Sequence, residues 1–317
     1  MCAAIGATTI VVMTSSPSLD SHCRPPEPEA SARSFGAKAA LAGVDHGVVR
    51  SLPDCPTAGD RIGRQAAGRT AASAPRSDDG MLGIAAQGLA KDFGRVRAVD
   101  DVSFEIRPGR VVGLLGPNGS GKTTMLRMLL GLVAPTSGQA LIGGRRFADL
   151  DVPAREVGAV LEAGSFHPRR SARDHLRVHA TEGRLSPGRV DEVLELVGLR
   201  AAADRHAGDF SLGMGQRLSL AGALLGDPHV LILDEPTNGL DPAGIRWLRD
   251  LLRGFACGGR TVLLSSHVLG EVAQTVDEVL ILDRGQLRAH RRMADIESLE
   301  DDFLELTDHE QSGSCPR

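Results

Sequence analysis

An eight-residue stretch, GPNGSGKT at positions 116–123, constrains the fold of this chain more than any other feature of its 317 residues. It matches the pattern G-x-x-x-x-G-K-[ST], in which glycines allow the backbone to wrap closely around phosphate groups. An apolar run at 110–115 precedes it, and apolar residues at helical spacing, among them Met125 and Leu129, follow it. That order points the N-terminus of a helix at the phosphates. The sequence therefore predicts a phosphate-binding loop between a strand and a helix of an α/β protein.

The polar side chains of this loop are predicted to contact phosphate and Mg²⁺. Lys122 is expected to reach the β- and γ-phosphates of a nucleotide, and the Thr123 hydroxyl to ligate Mg²⁺. Lysine occurs only at positions 38, 91 and 122, so a lysine in this loop is informative. An ordinary glycine-rich turn is the alternative. The predicted nucleotide-binding residues of this segment are Gly116, Pro117, Asn118, Gly119, Ser120, Gly121, Lys122, Thr123 and Thr124.

A second motif joins an apolar run to two carboxylates. Residues 230–233 are all aliphatic, as in a central strand of a parallel sheet, and Asp234 and Glu235 follow them. The carboxyl ends of such strands face the ligand crevice. Adjacent strand residues point in opposite directions, so we expect Asp234 to hold Mg²⁺ and Glu235 to polarise the attacking water. A solvated strand end is the alternative.

The remaining pattern from Met81 onwards also alternates strands and helices. The predicted strands are 102–106, 110–115, 230–233, 261–264 and 279–282, with a hairpin turn at 283–285. Apolar residues from Val190 to Val197 recur at helical spacing and predict an amphipathic helix. The chain shows no internal repeat, which favours one nucleotide-binding unit.

Composition and charge exclude several classes of protein. A net charge of −4 provides no broad basic surface, so we expect no nucleic-acid partner. The five cysteines are scattered without C-x-x-C spacing and indicate neither a disulfide framework nor a zinc site. No apolar run reaches the roughly 18 residues that a membrane-spanning helix needs.

The first 80 residues differ from the rest in composition. Seven of the seventeen prolines lie there, among Ser, Ala and Gly, without sustained strand or helix periodicity. Such a segment buries too little apolar surface to offset its ordering entropy, so we expect disorder. Either Met81 is the true start of translation, which we favour, or the segment is a regulatory tail. The folded domain is expected at 81–308, followed by a flexible tail at 309–317.

Residues 210–217, FSLGMGQR, resemble the signature of ABC transporter ATPases, which is L-S-G-G-Q followed by a helix with Gln and Arg. The resemblance implies that Ser211, Gly213 and Met214 meet the ATP held by a partner subunit. Ser211 and Gly213 match the family pattern, whereas Leu212 and Met214 replace its Gly and Gln. Leucine at that position is typical of export-type members.

Further segments agree with this resemblance. Residues 238–241 resemble the family's D-loop and assign Asp241 to the dimer interface. His267 ends a predicted strand, like the switch histidine that contacts the γ-phosphate. Phe93 stands where an aromatic side chain stacks on adenine, with a core-packing phenylalanine as the alternative. Glu162 stands where the family's Q-loop has Gln; it is assigned to the catalytic and Mg²⁺-binding set, although it adds a negative charge beside the phosphates.

The resemblance covers about residues 82–308 and implies a P-loop NTPase core with a mostly parallel sheet. An N-terminal antiparallel β portion and a helical subdomain at about 165–220 complete the implied ABC ATPase fold. The implied cofactors are ATP and Mg²⁺. The implied partners are a second ATPase subunit, for which we favour an identical copy over a different chain, and a membrane permease on a separate chain. The permease would place this chain in the cytoplasm, on the inner face of the membrane.

The closing segment, LEDDFLELT at 299–307, resembles ATPases of ABC-2-type export systems of the daunorubicin and bacitracin resistance kind. The resulting hypothesis is an ATP hydrolase that powers export, with catalytic residues Glu235, His267 and Glu162. The alternative is a soluble or regulatory ABC ATPase that is not coupled to transport.

Other polar residues are assigned no function. His175 and His179 share a metal-like spacing but lack a third ligand, so they are interpreted as surface histidines. Arg169 and Arg170 are interpreted as a solvated loop, and Cys257 as incidental.

Overall fold

The structure, a computed structural model, describes residues 83–161, 164 and 166–307, together with a short strand at 12–13. Glu162 and residues 308–317 lie outside the described residues, as does the rest of 1–82, so the expectations for them stay predictions. The strands are β1 (Val12–Met13), β2 (Ile84–Phe93), β3 (Val96–Ile106), β4 (Val111–Leu115), β5 (Ser137–Ile142), β6 (Val157–Val160), β7 (Val230–Leu233), β8 (Thr261–Ser266), β9 (Glu278–Asp283) and β10 (Gln286–Arg292). The helices are α1 (Lys122–Leu129), α2 (Pro153–Glu156), α3 (Ala172–Glu182), α4 (Arg189–Leu196), α5 (Leu212–Leu224), α6 (Pro242–Cys257), α7 (Leu269–Ala273) and α8 (Leu299–Thr307).

The larger sheet has the strand order β1-β6-β7-β8-β4-β9-β10. All of its strand pairs are parallel except β9 with β10, which form the predicted hairpin. Strands β3, β2 and β5 form a separate antiparallel sheet. The fold class predicted from sequence, a mostly parallel core with an antiparallel β portion, is therefore confirmed.

Two hydrophobic clusters cover the two faces of the parallel sheet. Along β7, Leu231 and Leu233 belong to one cluster, whereas Val230 and Ile232 belong to the other. This alternation follows from the two-residue period of a strand. Helices α3 to α6 pack on the first face, and α1 with the antiparallel sheet packs on the second. The loops at the carboxyl ends of the parallel strands are thus anchored by a sheet that is packed on both faces.

Most predicted elements lie where the sequence pattern places them. The run 230–233 coincides with β7, and the helix predicted around Val190 is α4. The helix predicted after the glycine-rich loop is α1, which ends at Leu129. None of the described helices is long and apolar enough to cross a bilayer.

Val12 and Met13 pair in parallel with Ala159 and Val160 of β6, so this dipeptide is an edge strand of the larger sheet. Two expectations are wrong. His175 is buried rather than on the surface, because α3 turns it towards Phe166, whose ring meets its imidazole edge-on at 5.4 Å. Cys257 is disulfide-bonded, although the scattered cysteines gave no sign of pairing.

Candidate nucleotide-binding site

The phosphate-binding loop connects the end of β4 to the start of α1. Its glycines are required by close approaches: a Cβ atom on Gly116 would lie 2.2 Å from the Leu282 carbonyl oxygen. A Cβ on Gly121 would lie 2.4 Å from the carbonyl oxygen of Ala98, and Gly121 has a φ of +104°. No side chain caps α1, so its first N–H groups are available to an anion.

Lys122 is the first residue of α1 and folds back over the loop. Its Nζ donates to the carbonyl oxygens of Gly116 and Pro117 at 2.6 and 3.0 Å. Burial lowers the pKa of the Lys122 ammonium, and the nearby charges of Glu235 and Asp234 oppose that shift. The chain therefore holds a cation inside the predicted phosphate cradle.

The neighbours of Lys122 complete the loop. Pro117, Asn118 and Gly119 are exposed at its tip, and Thr124 is half-buried in α1. Ser120 is 3% exposed, and its Oγ has no hydrogen-bond partner among the described residues. A buried hydroxyl without a partner is costly, so this atom is suited to a ligand.

Thr123 and Asp234 meet at the end of β7. The Thr123 hydroxyl donates to Asp234 Oδ2 at 2.7 Å, and the Ser265 hydroxyl donates to Asp234 Oδ1. A hydroxyl and a carboxylate are hard oxygen ligands of the kind that Mg²⁺ takes beside phosphate oxygens and water. The predicted metal-binding pair therefore fits Mg²⁺.

Glu235 adopts an unusual backbone conformation next to this pair. Its φ is +48°, in the left-handed region that non-glycine residues seldom occupy. The Glu235 N–H donates to Ser265 Oγ at 3.0 Å, and Glu235 Oε2 lies 2.8 Å from His267 Nδ1. The strained turn directs the carboxylate away from Asp234 and towards His267. Such strain is typical of functional sites.

Ser211 directly precedes α5 and caps its N-terminus. Its hydroxyl accepts a hydrogen bond from the Met214 N–H at 3.3 Å, and its side chain is at the surface. Among the described residues, no hydrogen bond joins Ser211, Gly213 or Met214 to the phosphate-binding loop. Leu212 is 67% exposed. The signature residues thus present a helix N-terminus to the exterior.

The two remaining predicted site residues are also placed by the structure. Asp241 caps α6 by accepting from the Gly244 N–H at 2.7 Å. Phe93 is 50% exposed at the end of β2, with Lys91 Nζ 5.1 Å from the centre of its ring. That exposure excludes the core-packing alternative for Phe93. Val99, in contrast, is fully buried.

The phosphate-binding loop, Asp234, Glu235 and His267 line one cleft. Two residues that support this cleft were not predicted from the sequence. Ser265 bridges Asp234 and Glu235, as described above. Gln216 of α5 is 1% exposed, and its Nε2 donates to the Pro236 carbonyl oxygen at 2.9 Å. Both partners are distant in sequence, so no local pattern indicates these contacts.

Comparison with known proteins agrees with this geometry. Residues 99–238 match the ABC transporter family. The chain is 45% identical over 202 residues to "Bacitracin transport ATP-binding protein BcrA" of Bacillus licheniformis, a match that spans 63% of this chain and 66% of that relative. It is 38% identical to "Lantibiotic transport ATP-binding protein SrtF" of Streptococcus pyogenes, over 68% of this chain and 94% of the relative.

A solved structure, "Structure of ATP binding subunit of ABC transporter", shares the fold. It is 28% identical, with a TM-score of 0.65 over 70% of this chain and 98% of the other.

Proposed function

Since the chain belongs to the ABC transporter family as an ATP-binding and ATP-hydrolysing subunit, we propose that it powers export through a permease on a separate chain. The observation that carries the catalytic part is the convergence of Lys122, Thr123, Asp234, Glu235 and His267 on one cleft. Each contributes a chemically distinct group to phosphate hydrolysis.

The loop binds and orients the triphosphate of ATP. Lys122 exchanges its hydrogen bonds to the Gly116 and Pro117 carbonyls for phosphate oxygens, which offer stronger, charge-assisted bonds. The N–H groups at the start of α1 and the unpartnered Ser120 hydroxyl bind further phosphate oxygens. Phe93, exposed at the end of β2, stacks on the adenine ring.

Thr123 and Asp234 hold Mg²⁺ in the proposed site. Magnesium, when bound, neutralises charge that develops on the phosphate oxygens. The Thr123 hydroxyl releases Asp234 Oδ2 to act as a ligand, while Ser265 keeps Oδ1 oriented. Glu162 is proposed as a further contributor to this site.

Glu235 acts as the general base. Its carboxylate accepts a proton from water as that water attacks the γ-phosphate in line. His267, 2.8 Å from Glu235 Oε2, orients the carboxylate and contacts the γ-phosphate. The carboxylate of Asp234 is bonded by Thr123 and Ser265, whereas that of Glu235 contacts His267, so different carboxylates serve metal binding and proton transfer.

A second copy of the chain completes each site. Ser211, Gly213 and Met214 lie at the exposed N-terminal end of α5, where a helix dipole favours an anion. Head-to-tail packing brings this end to the triphosphate bound by the other copy, with Asp241 near the interface. Two ATP molecules then hold the dimer closed, and hydrolysis reopens it.

Export of an antimicrobial peptide is the proposed task of the complete transporter. The relatives named for bacitracin and lantibiotic transport support this substrate class. The permease docks on this chain near Glu162 and the helices that follow Glu162 in the sequence. It thereby places the chain at the inner face of the membrane. No nucleic-acid partner is proposed.

The catalytic proposal is tested with the full chain carrying Glu235→Gln. Hydrolysis is expected to fall at least 100-fold, while ATP binding persists and size-exclusion chromatography reveals an ATP-dependent dimer. A variant that still hydrolyses ATP at the wild-type rate would remove Glu235 from the role of base. Absence of any ATP-dependent dimer would contradict the head-to-tail site.

The export proposal is tested in cells that express the chain with the permease encoded by a neighbouring gene. The bacitracin concentration that inhibits growth is expected to rise severalfold, and to return to the control value with Glu235→Gln. If neither bacitracin nor a lantibiotic becomes less inhibitory, the proposed substrate class is wrong.

A further inference from the structure

Gln216 connects the exposed signature end of α5 to the turn that carries Glu235. Its amide is buried, and the Pro236 carbonyl oxygen accepts from Nε2 at 2.9 Å. Because the Pro236 carbonyl can only accept, this contact fixes which end of the amide faces it. The side chain thereby bridges two segments 20 residues apart in the sequence.

The Glu235 turn is held from two sides. On one side, Ser265 of β8 accepts from the Glu235 N–H at 3.0 Å. On the other side, Gln216 of α5 holds the carbonyl of the next residue, Pro236. Since Glu235 lies in a strained left-handed conformation, small displacements of either support change where its carboxylate points.

A second contact joins the same two segments. Leu212, the first residue of α5, packs on Gly239: a Cβ on Gly239 would lie 2.3 Å from Leu212 Cγ. Gly239 follows Glu235 in the same loop, where the Asn238 N–H donates to the Glu235 carbonyl at 3.2 Å. The N-terminal end of α5 and the Glu235 loop therefore contact each other at two separate points.

Helix α5 is continuous from Leu212 to Leu224, and from Gly215 to Leu224 all of its residues except Arg217 are buried. Ser211 and Gln216 are about 7.5 Å apart along its axis, at a rise of about 1.5 Å per residue. The helix thus provides a continuous path from its capped end to the Pro236 carbonyl.

We propose that Gln216 is a positioning residue that couples the two ATP sites of the dimer. Engagement of the partner's ATP by Ser211 sets the position of α5, and Gln216 transmits that position to Glu235 in the subunit's own site. This inference rests on the proposed head-to-tail arrangement. It explains how each site senses that the other is filled, through a differential contact within one subunit.

The main test is Gln216→Met in the full chain, which keeps the volume and removes the donor. The kcat for ATP hydrolysis is expected to fall about 10-fold while the KM for ATP changes less than about twofold. Gln216→Asn, whose amide is too short to reach Pro236, should lose activity to a similar extent. Ser219→Ala, a buried change on the same helix, is the control and should retain wild-type kcat. Wild-type kcat in either Gln216 variant would overturn the proposal.

A double-mutant cycle with Ser211→Ala separates coupling from local positioning. If Gln216 transmits the engagement of Ser211, the double variant should have the kcat of the slower single variant, within about twofold. If Ser211→Ala lowers kcat and the fold-losses of the two single variants multiply in the double variant, the proposed coupling is wrong, whereas the head-to-tail site is supported. If Ser211→Ala leaves kcat unchanged, the head-to-tail site is wrong and the coupling falls with it.

Discussion

The proposed ATP-binding cleft and helix α3 differ in how their buried titratable groups are paired. In the cleft, Lys122 Nζ donates to the Gly116 and Pro117 carbonyl oxygens, and Asp234 accepts from the hydroxyls of Thr123 and Ser265. In α3, His175 and His179 contact each other through Nε2 at 3.1 Å, and neither Nδ1 atom has a hydrogen-bond partner among the described residues. Glu182 Oε2 lies 3.6 Å from His179 Nδ1. The charged groups of the cleft are thus hydrogen-bonded, and in the proposed function phosphate replaces the carbonyl partners of Lys122.

This difference predicts that substitutions in the cleft affect activity, whereas substitutions of the histidine pair affect stability. Loss of a cleft residue removes an interaction with substrate or with the base, so the rate of hydrolysis should respond most. Loss of the histidine pair should alter the pH dependence of folding instead. The following changes test that division, beginning with the largest expected effect.

Replacement of Lys122 by Met should abolish function. It removes the buried cation that the cradle offers to the phosphates, so ATP binding should weaken and hydrolysis fall more than about 100-fold. Isothermal titration with ATP and a phosphate-release assay measure the two effects. Arg146→Met removes an exposed cation paired with Asp149 and should preserve both. ATP binding by Lys122→Met at wild-type affinity would contradict the assigned role.

Replacement of Ser265 by Ala should lower kcat about 10-fold, equivalent to about 1.4 kcal/mol. The change frees Asp234 Oδ1 and leaves the Glu235 N–H unpaired. The concentration of Mg²⁺ needed for half-maximal rate should rise as well, whereas Ser265→Thr should recover part of the loss. Unchanged Mg²⁺ dependence in Ser265→Ala would show that Ser265 does not orient the metal ligand.

Replacement of Phe93 by Ala should raise the KM for ATP about fivefold, with little change in kcat, because only a stacking contact is lost. Phe93→Tyr keeps the aromatic face and should remain within about twofold of wild type. Equal KM values for the wild type, Phe93→Ala and Phe93→Tyr would show that Phe93 does not contribute to nucleotide binding.

The smallest effect concerns His175. Burial first, then the neighbouring His179 and Arg170, lower the pKa of His175 to about 3; burial also lowers that of His179, which Glu182 opposes. As the pH falls below 6.5, the His175 imidazole takes up a proton in the unfolded chain but stays neutral in the folded chain. The free energy of unfolding therefore decreases as the pH falls towards 3. Between pH 7.5 and 5.5 the wild type should lose about 1 kcal/mol more than His175→Leu, measured by urea unfolding. Equal losses would contradict the buried, neutral state of His175.

Much of the site was predictable because its parts are contiguous in sequence. The loop at 116–123 carries its own turn chemistry, and β7 delivers Asp234 and Glu235 at its end. The helical surface of α3 was misjudged, because nothing local indicates that Phe166 and the subdomain core cover His175. Burial of a helix face is set by its neighbours and not by its own composition alone.

The sequence by itself determined the phosphate-binding loop, the acidic strand end and the α/β class, since each depends on residues within a few positions of one another. Only the tertiary structure placed Ser265 beside Asp234 and Gln216 beside Pro236. The parallel pairing of β7 with β8, with Leu233 opposite Leu264, sets the first contact. The packing of α5 against the sheet sets the second. These hydrogen bonds span 20 to 31 residues and exist only once register and packing are fixed.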